Sequence, residues 1–257
     1  MTTESARKRR LLILGGTTEA RELAALASRH LAARLDVITS LAGRTEAPAL
    51  PAGQVRRGGF GGAAGLAAFL GAEAIDYLVD ATHPFARRIS AHAVDAARRA
   101  GVPHLALIRP AWRRTAGDRW IDVSDAWAAA VLLPTLGRRV WLTVGSDDLA
   151  AFTSLPETWF LVRRIDPPSS PLPLRDVELI LGRGPFSLAD ERRLLAEYRI
   201  EVLVCRASGG AATEAKLVAA REAGLPVIMI RRPAPVAGAV VETPEAALAW
   251  LLQRLDA

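Results

Sequence analysis

The 257-residue chain is long enough for one large α/β domain or two smaller ones; 51% of it is hydrophobic and only 5% is aromatic. A single cysteine, Cys205, excludes an intrachain disulfide and a cysteine-rich metal centre, and we expect it to be a small buried hydrophobic residue; no metal site is predicted. The net charge of +6 favours a small anionic ligand over a nucleic acid, because the basic residues are scattered in pairs and form no stripe with interleaved aromatic residues.

The first ten residues are basic and lead into a short apolar run at 11–14. That run is far too short for a secretion signal or a membrane span. We therefore expect a cytoplasmic protein without a membrane partner, present as a monomer or a weak homodimer.

In the first half of the chain, short apolar runs alternate with helical patterns. The predicted elements are a strand at 11–14, a helix to about 33, a strand at 35–40, a helix near 63–70, a strand at 75–80, a helix at 85–100 and a strand at 104–108. This alternation indicates a parallel sheet with helices on both faces.

A connector with weak periodicity at 109–120 precedes a second series of elements. Its predicted strands lie at 140–144, 159–165, 177–181, 202–205 and 226–230, with helices at 187–198, from about 211 to 224 and from 244 onward. Two doubly wound Rossmann-like units in tandem explain this better than one very large sheet. We predict an NADP-binding domain at 1–112, a second domain at 113–257 that contributes to substrate binding, and a ligand cleft between them.

The turn Gly15-Gly16-Thr17-Thr18 joins the first strand to the first helix. A strand, a glycine turn and a helix start direct free backbone N–H groups at a bound phosphate, so these four residues are predicted cofactor contacts. The turn lacks the full GxGxxG spacing, and a tight turn closed by a threonine N-cap is the alternative. Glu19 counts against a phosphate here unless it points at a ribose hydroxyl.

The end of the second strand carries Ser40, followed by Arg44 and Thr45. An arginine at this position of a dinucleotide fold accommodates the 2′-phosphate of NADP, and these three residues together predict a preference for NADP(H). The alternative for Arg44 is a surface arginine.

Two further loops follow predicted strands. Gly59, Phe60 and Gly61 lie in a glycine-rich loop after the third strand, and Thr82 and His83 follow the fourth. In open α/β sheets the carboxyl ends of strands hold the ligand, so these residues are predicted to contact the cofactor. His83 is a candidate proton donor or a polar wall near the nicotinamide; the alternative is a cap of a helix that starts at Pro84.

Several enzyme classes are excluded by missing motifs. Neither Tyr77 nor Tyr198 is followed by lysine four residues later, as in short-chain dehydrogenases, and there is no GxSxG elbow, Walker lysine loop or HExxH helix.

The chain resembles the precorrin-6A reductase family of cobalamin biosynthesis. The resemblance rests on an ordered set of motifs: LGGTTEA at 14–20, AGRT at 42–45, GGFGG at 58–62, DATHPFA at 80–86, RPAW at 109–112, GDRW at 117–120, RGPF at 183–186 and EAKLVAAR at 214–221. The set covers nearly the whole sequence.

The resemblance implies two Rossmann-like domains that bind NADPH and transfer a hydride to a double bond of a polycarboxylate tetrapyrrole, giving precorrin-6B or its cobalt-containing counterpart. Cofactor contacts would include Gly16 to Thr18, Ser40, Arg44, the 59–61 loop, Thr82 and His83. Substrate contacts in the second domain would be Arg183, Ser208, Gly209, Gly210 and Lys216. His83 and Lys216 are the candidate catalytic residues, although water can supply the proton to the substrate carbon.

Where the family often has a lysine after the first strand of the second domain, this chain has Gly145-Ser146-Asp147-Asp148. Two other functions stay open. A two-domain glycosyltransferase would share the tandem architecture but gives no reason for Arg44, and a non-catalytic NADP-binding sensor would use domain closure as its output.

Overall fold

The computed structural model describes residues 7–43, 50–235 and 237–256. The chain divides into two compact units, Met1–Arg109 with Pro233–Ala257, and Pro110–Arg232. No helix among the described residues is both long and apolar enough to cross a membrane.

The elements follow one another in alternation, as the sequence predicts. Up to residue 109 they are β1 (Arg9–Leu14), α1 (Thr18–His30), β2 (Leu35–Leu41), β3 (Gln54–Arg57), α2 (Gly62–Ala72), β4 (Tyr77–Asp80), α3 (Arg87–Ala100) and β5 (His104–Leu107). The second unit contains β6 (Arg119–Val123), α4 (Ala126–Leu132), β7 (Arg139–Thr143), β8 (Trp159–Arg164), β9 (Val177–Leu181), α5 (Leu188–Glu197), β10 (Val202–Arg206), α6 (Ala215–Glu222) and β11 (Pro226–Ile230). Three short 3₁₀ helices lie at Leu133–Thr135, Ser146–Phe152 and Ala211–Thr213, and the described chain ends with β12 (Ala239–Val241) and α7 (Pro244–Leu255).

The first unit has the strand order of a dinucleotide-binding fold. Its described strands form one parallel sheet in the order β12-β5-β4-β1-β2-β3, so the direction of winding reverses between β1 and β4. Leu14 at the end of β1 is in register with Ser40 on β2 and with Asp80 on β4. The carboxyl ends of three central strands therefore meet at one edge, where such sheets bind their ligands.

Strand β1 is buried on both faces, which explains its uninterrupted apolar sequence. Leu11 and Ile13 lie in the same core cluster as α1 and α7, whereas Leu12 and Leu14 lie in a second cluster with α2 and α3. Side chains of a strand alternate between the faces of its sheet, so these two clusters are the two helical layers of a doubly wound fold. The predicted fold class is confirmed.

The second unit repeats this plan. Its described strands form a parallel sheet in the order β6-β11-β10-β7-β8-β9, and the winding reverses between β7 and β10. Trp141, Leu161 and Leu203 are completely buried in the core cluster to which α5 and α6 contribute. The predicted connector at 109–120 ends inside the edge strand β6 (Arg119–Val123). This strand was not predicted, because its mixed exposure gives no clear strand pattern.

The carboxyl-terminal segment differs from the predicted domain assignment. Strand β12 pairs with β5 of the first sheet, and Trp250 and Leu251 of α7 are buried in the core cluster of α1. Tyr77 on β4 also donates a hydrogen bond of 3.1 Å to the Arg254 carbonyl. Residues from 233 onward thus belong to the first unit, and not to the second as predicted, because the apolar face of α7 completes one layer of the first sheet.

Candidate functional site

The turn after β1 brings the backbone close to β2. The Gly15 N–H donates to the Ser40 carbonyl at 2.9 Å, and a Cβ on Gly15 would lie 2.8 Å from Thr39 Cγ2. Gly16 has a φ of +111°, which favours glycine, and the space beside it is open. The first glycine is therefore required by packing, and the second leaves room for a ligand.

Thr17 connects the loop after β1 to the loop after β4. Its hydroxyl accepts from the Ala20 N–H at 3.1 Å, as an N-cap of α1, and donates to the Ala81 carbonyl at 2.8 Å. The N-cap alternative is thus present in the structure. The N–H groups of Thr18 and Glu19 point out of the first turn as at any helix start, where they have no carbonyl one turn earlier to bind.

Glu19, which counted against a phosphate, is paired with a cation. Its carboxylate accepts from Arg109 Nη1 at 3.1 Å, and both side chains are largely buried. Arg109 lies two residues after the end of β5. It belongs to the RPAW motif, but no role was assigned to it from the sequence. The ion pair offsets the negative charge of Glu19 at the start of α1.

The ends of β2 and β3 meet around an arginine that sequence reasoning also missed. Arg56 Nη1 donates to the Gly58 carbonyl at 2.6 Å and to Ser40 Oγ at 3.3 Å, and Nη2 donates to the Gly59 carbonyl at 2.6 Å. Its guanidinium lies 3.9 Å from the centroid of the Phe60 ring. Arg56 thus joins Ser40 to the glycine-rich loop.

Gly61 continues that loop in the left-handed region, with a φ of +77°, and is the N-cap of α2. Arg44 and Thr45, which were predicted to contact the cofactor next to Ser40, lie outside the described residues.

The loop after β4 is fixed by a buried carboxylate. Asp80 is 4% exposed and accepts from both the N–H and the hydroxyl of Thr82, at 3.0 and 2.7 Å. The Thr82 hydroxyl also lies 3.4 Å from Ser90 Oγ on α3. The conformation of this loop is therefore set before any ligand arrives.

His83 belongs to the turn before α3. Its Nδ1 accepts from the Phe85 N–H at 3.3 Å, and its carbonyl accepts from the Ala86 N–H at 2.7 Å. Because Nδ1 is an acceptor, the neutral ring carries its hydrogen on Nε2. Helix α3 begins at Arg87, two residues after the predicted start at 85. The alternative in which His83 caps a helix that starts at Pro84 is therefore wrong, because residues 84–86 precede the helix.

The first unit therefore gathers most of its predicted cofactor residues at one edge of the sheet. These described residues are Gly15, Gly16, Thr17, Thr18, Ser40, Gly59, Phe60, Gly61, Thr82 and His83. They surround the reversal between β1 and β4.

In the second unit, Ser208, Gly209 and Gly210 follow β10 and are held by an arginine. Arg232 donates from Nε to the Ala207 carbonyl at 2.6 Å and from Nη2 to the Ser208 carbonyl at 2.8 Å. Gly209 has a φ of +66° and leaves no room for a Cβ against the Pro110 carbonyl. Both the loop conformation and the close approach require glycine there.

Lys216 lies beneath this loop and not on the surface. It is 5% exposed on α6, and its Nζ is 5.3 Å from the centroid of the Trp112 ring. Trp112 in turn donates from Nε1 to the Gly210 carbonyl at 2.9 Å. This candidate catalytic residue is therefore packed into the second unit beside a predicted substrate loop.

Arg183 follows β9 and is exposed to solvent. The loop after it packs on a buried ion pair: Arg163 is 3.5 Å from the centroid of the Phe186 ring and donates two hydrogen bonds to Glu191, at 2.8 and 2.9 Å. Glu191 is completely buried in the first turn of α5.

One of the two acidic residues in the segment 145–148, Asp148, has a structural explanation. Asp148 accepts from Arg206 Nε at 2.7 Å, which joins the loop after β7 to the end of β10. A side chain on Gly145 would collide with the same guanidinium. This ion pair occupies the position in the second unit that corresponds to the Thr17–Ala81 connection in the first.

The remaining predicted residue, Cys205, is fully buried on β10 with its Sγ 3.6 Å from Met229 Sδ. Burial raises the pKa of this thiol to about 11, so it stays protonated at neutral pH. Within the described residues, no three histidine, cysteine, aspartate or glutamate side chains are grouped so that they could hold a metal ion.

Comparisons with known proteins agree with the resemblance. Residues 10–252 match the family model described as precorrin-6x reductase CbiJ/CobK. Precorrin-6A reductase of Rhodococcus erythropolis is 50% identical over 243 residues, which cover 94% of this chain and 97% of that protein. Cobalt-precorrin-6A reductase of Priestia megaterium is 31% identical over 244 residues, covering 91% and 94%. The solved structure of CobK precorrin-6A reductase is 44% identical with a TM-score of 0.90, covering 95% of this chain and 96% of that one. The chain belongs to the precorrin-6x reductase family.

Proposed function

We propose that this chain is a precorrin-6A reductase of cobalamin biosynthesis that uses NADPH to reduce one double bond of the macrocycle to precorrin-6B. The observation that carries the proposal is the 50% identity to a precorrin-6A reductase over nearly the full length of both chains. The cofactor, when bound, supplies a hydride from its nicotinamide C4.

The first unit has backbone hydrogen-bond donors that suit the pyrophosphate of a dinucleotide. Gly16 leaves open space beside the start of α1, and the N–H groups of Thr18 and Glu19 are donors for a pyrophosphate. The Arg109–Glu19 pair keeps the negative charge of Glu19 from opposing that anion.

The loop after β4 is assigned to the nicotinamide end of the cofactor. Its conformation is fixed by the hydrogen bonds from Thr82 to Asp80 and by the bond from Thr17 to the Ala81 carbonyl. Such rigidity matters because hydride transfer requires donor and acceptor carbons about 3–3.5 Å apart in a site that excludes water. We assign His83 as a polar wall that presents its Nε2–H, and the proton for the substrate carbon is taken from water.

The second unit is assigned to the polycarboxylate substrate. Exposed Arg183 offers charge-assisted donors for carboxylates, and the backbone N–H groups of Gly209 and Gly210 are further candidate donors, whereas the N–H of Ser208 donates to the Arg206 carbonyl at 2.6 Å. Lys216 lies behind the latter loop, next to Trp112, and its positive charge contributes to the attraction of an anionic substrate.

The metal-free macrocycle is the proposed substrate. Relatives named precorrin-6A reductase are 45–50% identical to this chain, whereas those named cobalt-precorrin-6A reductase are 29–31% identical.

A two-step assay tests the proposal. NADPH fluorescence is titrated with the protein, and the loss of nicotinamide absorbance is then followed after precorrin-6A or, in a separate reaction, its cobalt-containing counterpart is added. We expect NADPH binding followed by stoichiometric oxidation. NADPH binding without oxidation by either macrocycle would favour a sensor, and binding of a sugar nucleotide but not of NADPH would favour a glycosyltransferase.

A further inference from the structure

We propose that Arg56 determines the preference for NADPH over NADH by binding the 2′-phosphate of the cofactor. This inference rests on the proposed function. It assigns a specificity role to a residue outside the glycine motifs, at the junction of β2 and β3.

The position of Arg56 is the first support. It is in register with Ser40, the residue near the end of β2, and its Nη1 is 3.3 Å from Ser40 Oγ. In a sheet with the β3-β2-β1-β4 order, the end of β2 approaches the adenosine ribose, so a group held there is next to the 2′ position.

The fixed orientation of the guanidinium is the second support. Two short hydrogen bonds to the Gly58 and Gly59 carbonyls and contact with the Phe60 ring hold it in place. Among the described residues, Nε has no hydrogen-bond partner, so donor capacity remains for a ligand. A guanidinium that is already ordered loses little side-chain entropy when it binds a phosphate.

The charge of Arg56 is the third support. Among the described residues, no carboxylate forms an ion pair with it. By contrast, Arg7, Arg9 and Arg10 at the opposite edge of the sheet are each paired with Asp76 or Glu73, and Arg109 is paired with Glu19. Arg56 is therefore a partly buried positive charge available to a dianion, and a 2′-phosphate is the group that distinguishes NADPH from NADH.

The test compares Arg56→Gln with Arg57→Gln in the full-length protein. Arg57 is exposed and adjacent in sequence, so its substitution makes the same change in net charge. Dissociation constants for NADPH and NADH are measured by fluorescence, with adenosine 2′,5′-bisphosphate and ADP as competing probes. For Arg56→Gln we expect NADPH affinity to fall at least about tenfold and NADH affinity to change by less than about threefold. Arg57→Gln should change each by less than about twofold.

An equal loss of affinity for NADPH and NADH would overturn the proposal, because it would show that Arg56 only supports the glycine-rich loop. Unchanged NADPH affinity would overturn it as well. Should Arg56→Gln fail to fold in a thermal melt, Arg56→Lys keeps the charge and much of the stem packing, and a selective loss of NADPH affinity is again expected because lysine lacks the planar fork. A wild-type protein that binds neither cofactor would refute the proposed function itself. If the wild-type protein and the Arg56→Gln variant bind NADPH equally well, only the role of Arg56 is refuted.

Discussion

Replacing Thr17 with valine should destabilise the first unit through the loss of two hydrogen bonds, whose contributions can be measured separately. The Thr17 hydroxyl accepts from the Ala20 N–H and donates to the Ala81 carbonyl, at 3.1 and 2.8 Å. Loss of an N-cap costs about 1 kcal/mol of unfolding free energy. Leaving the carbonyl of buried Ala81 without its donor costs about 1–2 kcal/mol more, so a total of about 2–3 kcal/mol is expected.

The same unit contains a matched control. Thr243 caps α7 by accepting from the Ala246 N–H at 3.2 Å and makes no second hydrogen bond among the described residues. Thr243→Val should therefore cost only about 1 kcal/mol. Thr17→Ser, which keeps the hydroxyl, should cost less than about 1 kcal/mol, chiefly through the lost methyl group.

Urea unfolding of the three variants, followed by circular dichroism and by tryptophan fluorescence, measures these differences. Both threonines lie in the first unit, so their effects are compared within one transition. Equal destabilisation by Thr17→Val and Thr243→Val would show that the Thr17–Ala81 hydrogen bond contributes nothing, and would refute the idea that it fixes the two loops at the sheet reversal.

The remaining predictions concern catalysis, stability and titration. His83→Ala should lower turnover by less than about tenfold, because water can supply the proton; a loss above about a thousandfold would make His83 the general acid. Glu191→Ala should cost about 3–5 kcal/mol of stability in urea unfolding, since it leaves Arg163 buried without its partner, and a cost below about 1 kcal/mol would contradict this. Burial lowers the pKa of His104 below its usual 6.5, and the negative charge of Asp80 offsets part of this shift. As the pH falls below 6.5, the unfolded chain therefore binds a proton at His104 more readily than the folded chain does. Stability should accordingly fall as the pH drops through this range, and His104→Phe should make that dependence shallower; an unchanged slope would exclude His104. Cys205 should not react with a thiol reagent at pH about 8 until the protein is unfolded, because its thiol is buried and has a pKa of about 11.

Strands that are buried on both faces, and helices that begin with a side-chain N-cap, could be predicted from the sequence. The apolar run of β1, the N-caps Thr17 and Thr243 and the serine cap of α5 all lie where local chemistry places them. Strand β12 could not be predicted, because its three residues are largely exposed and show no alternation. The return of α7 to the first unit was missed since an amphipathic helix does not indicate which sheet it covers.

The candidate site divides in the same way. Its glycines and hydroxyl residues were predicted because turns after strands restrict the residue types that fit them. The arginines that hold these loops, Arg56, Arg109 and Arg232, were missed: most of the 33 basic residues are arginine, and sequence does not reveal which guanidinium folds back onto which carbonyl or carboxylate. Such pairing depends on tertiary contacts between residues distant in sequence.

The most direct test of the central claim uses NADPH that carries deuterium at the transferable C4 position. Precorrin-6A is incubated with the enzyme and this cofactor, and the product is analysed by mass spectrometry. We expect a reduced macrocycle that contains a single deuterium atom from the cofactor. A reduced product without the label, or no reduction in the presence of bound NADPH, would contradict it.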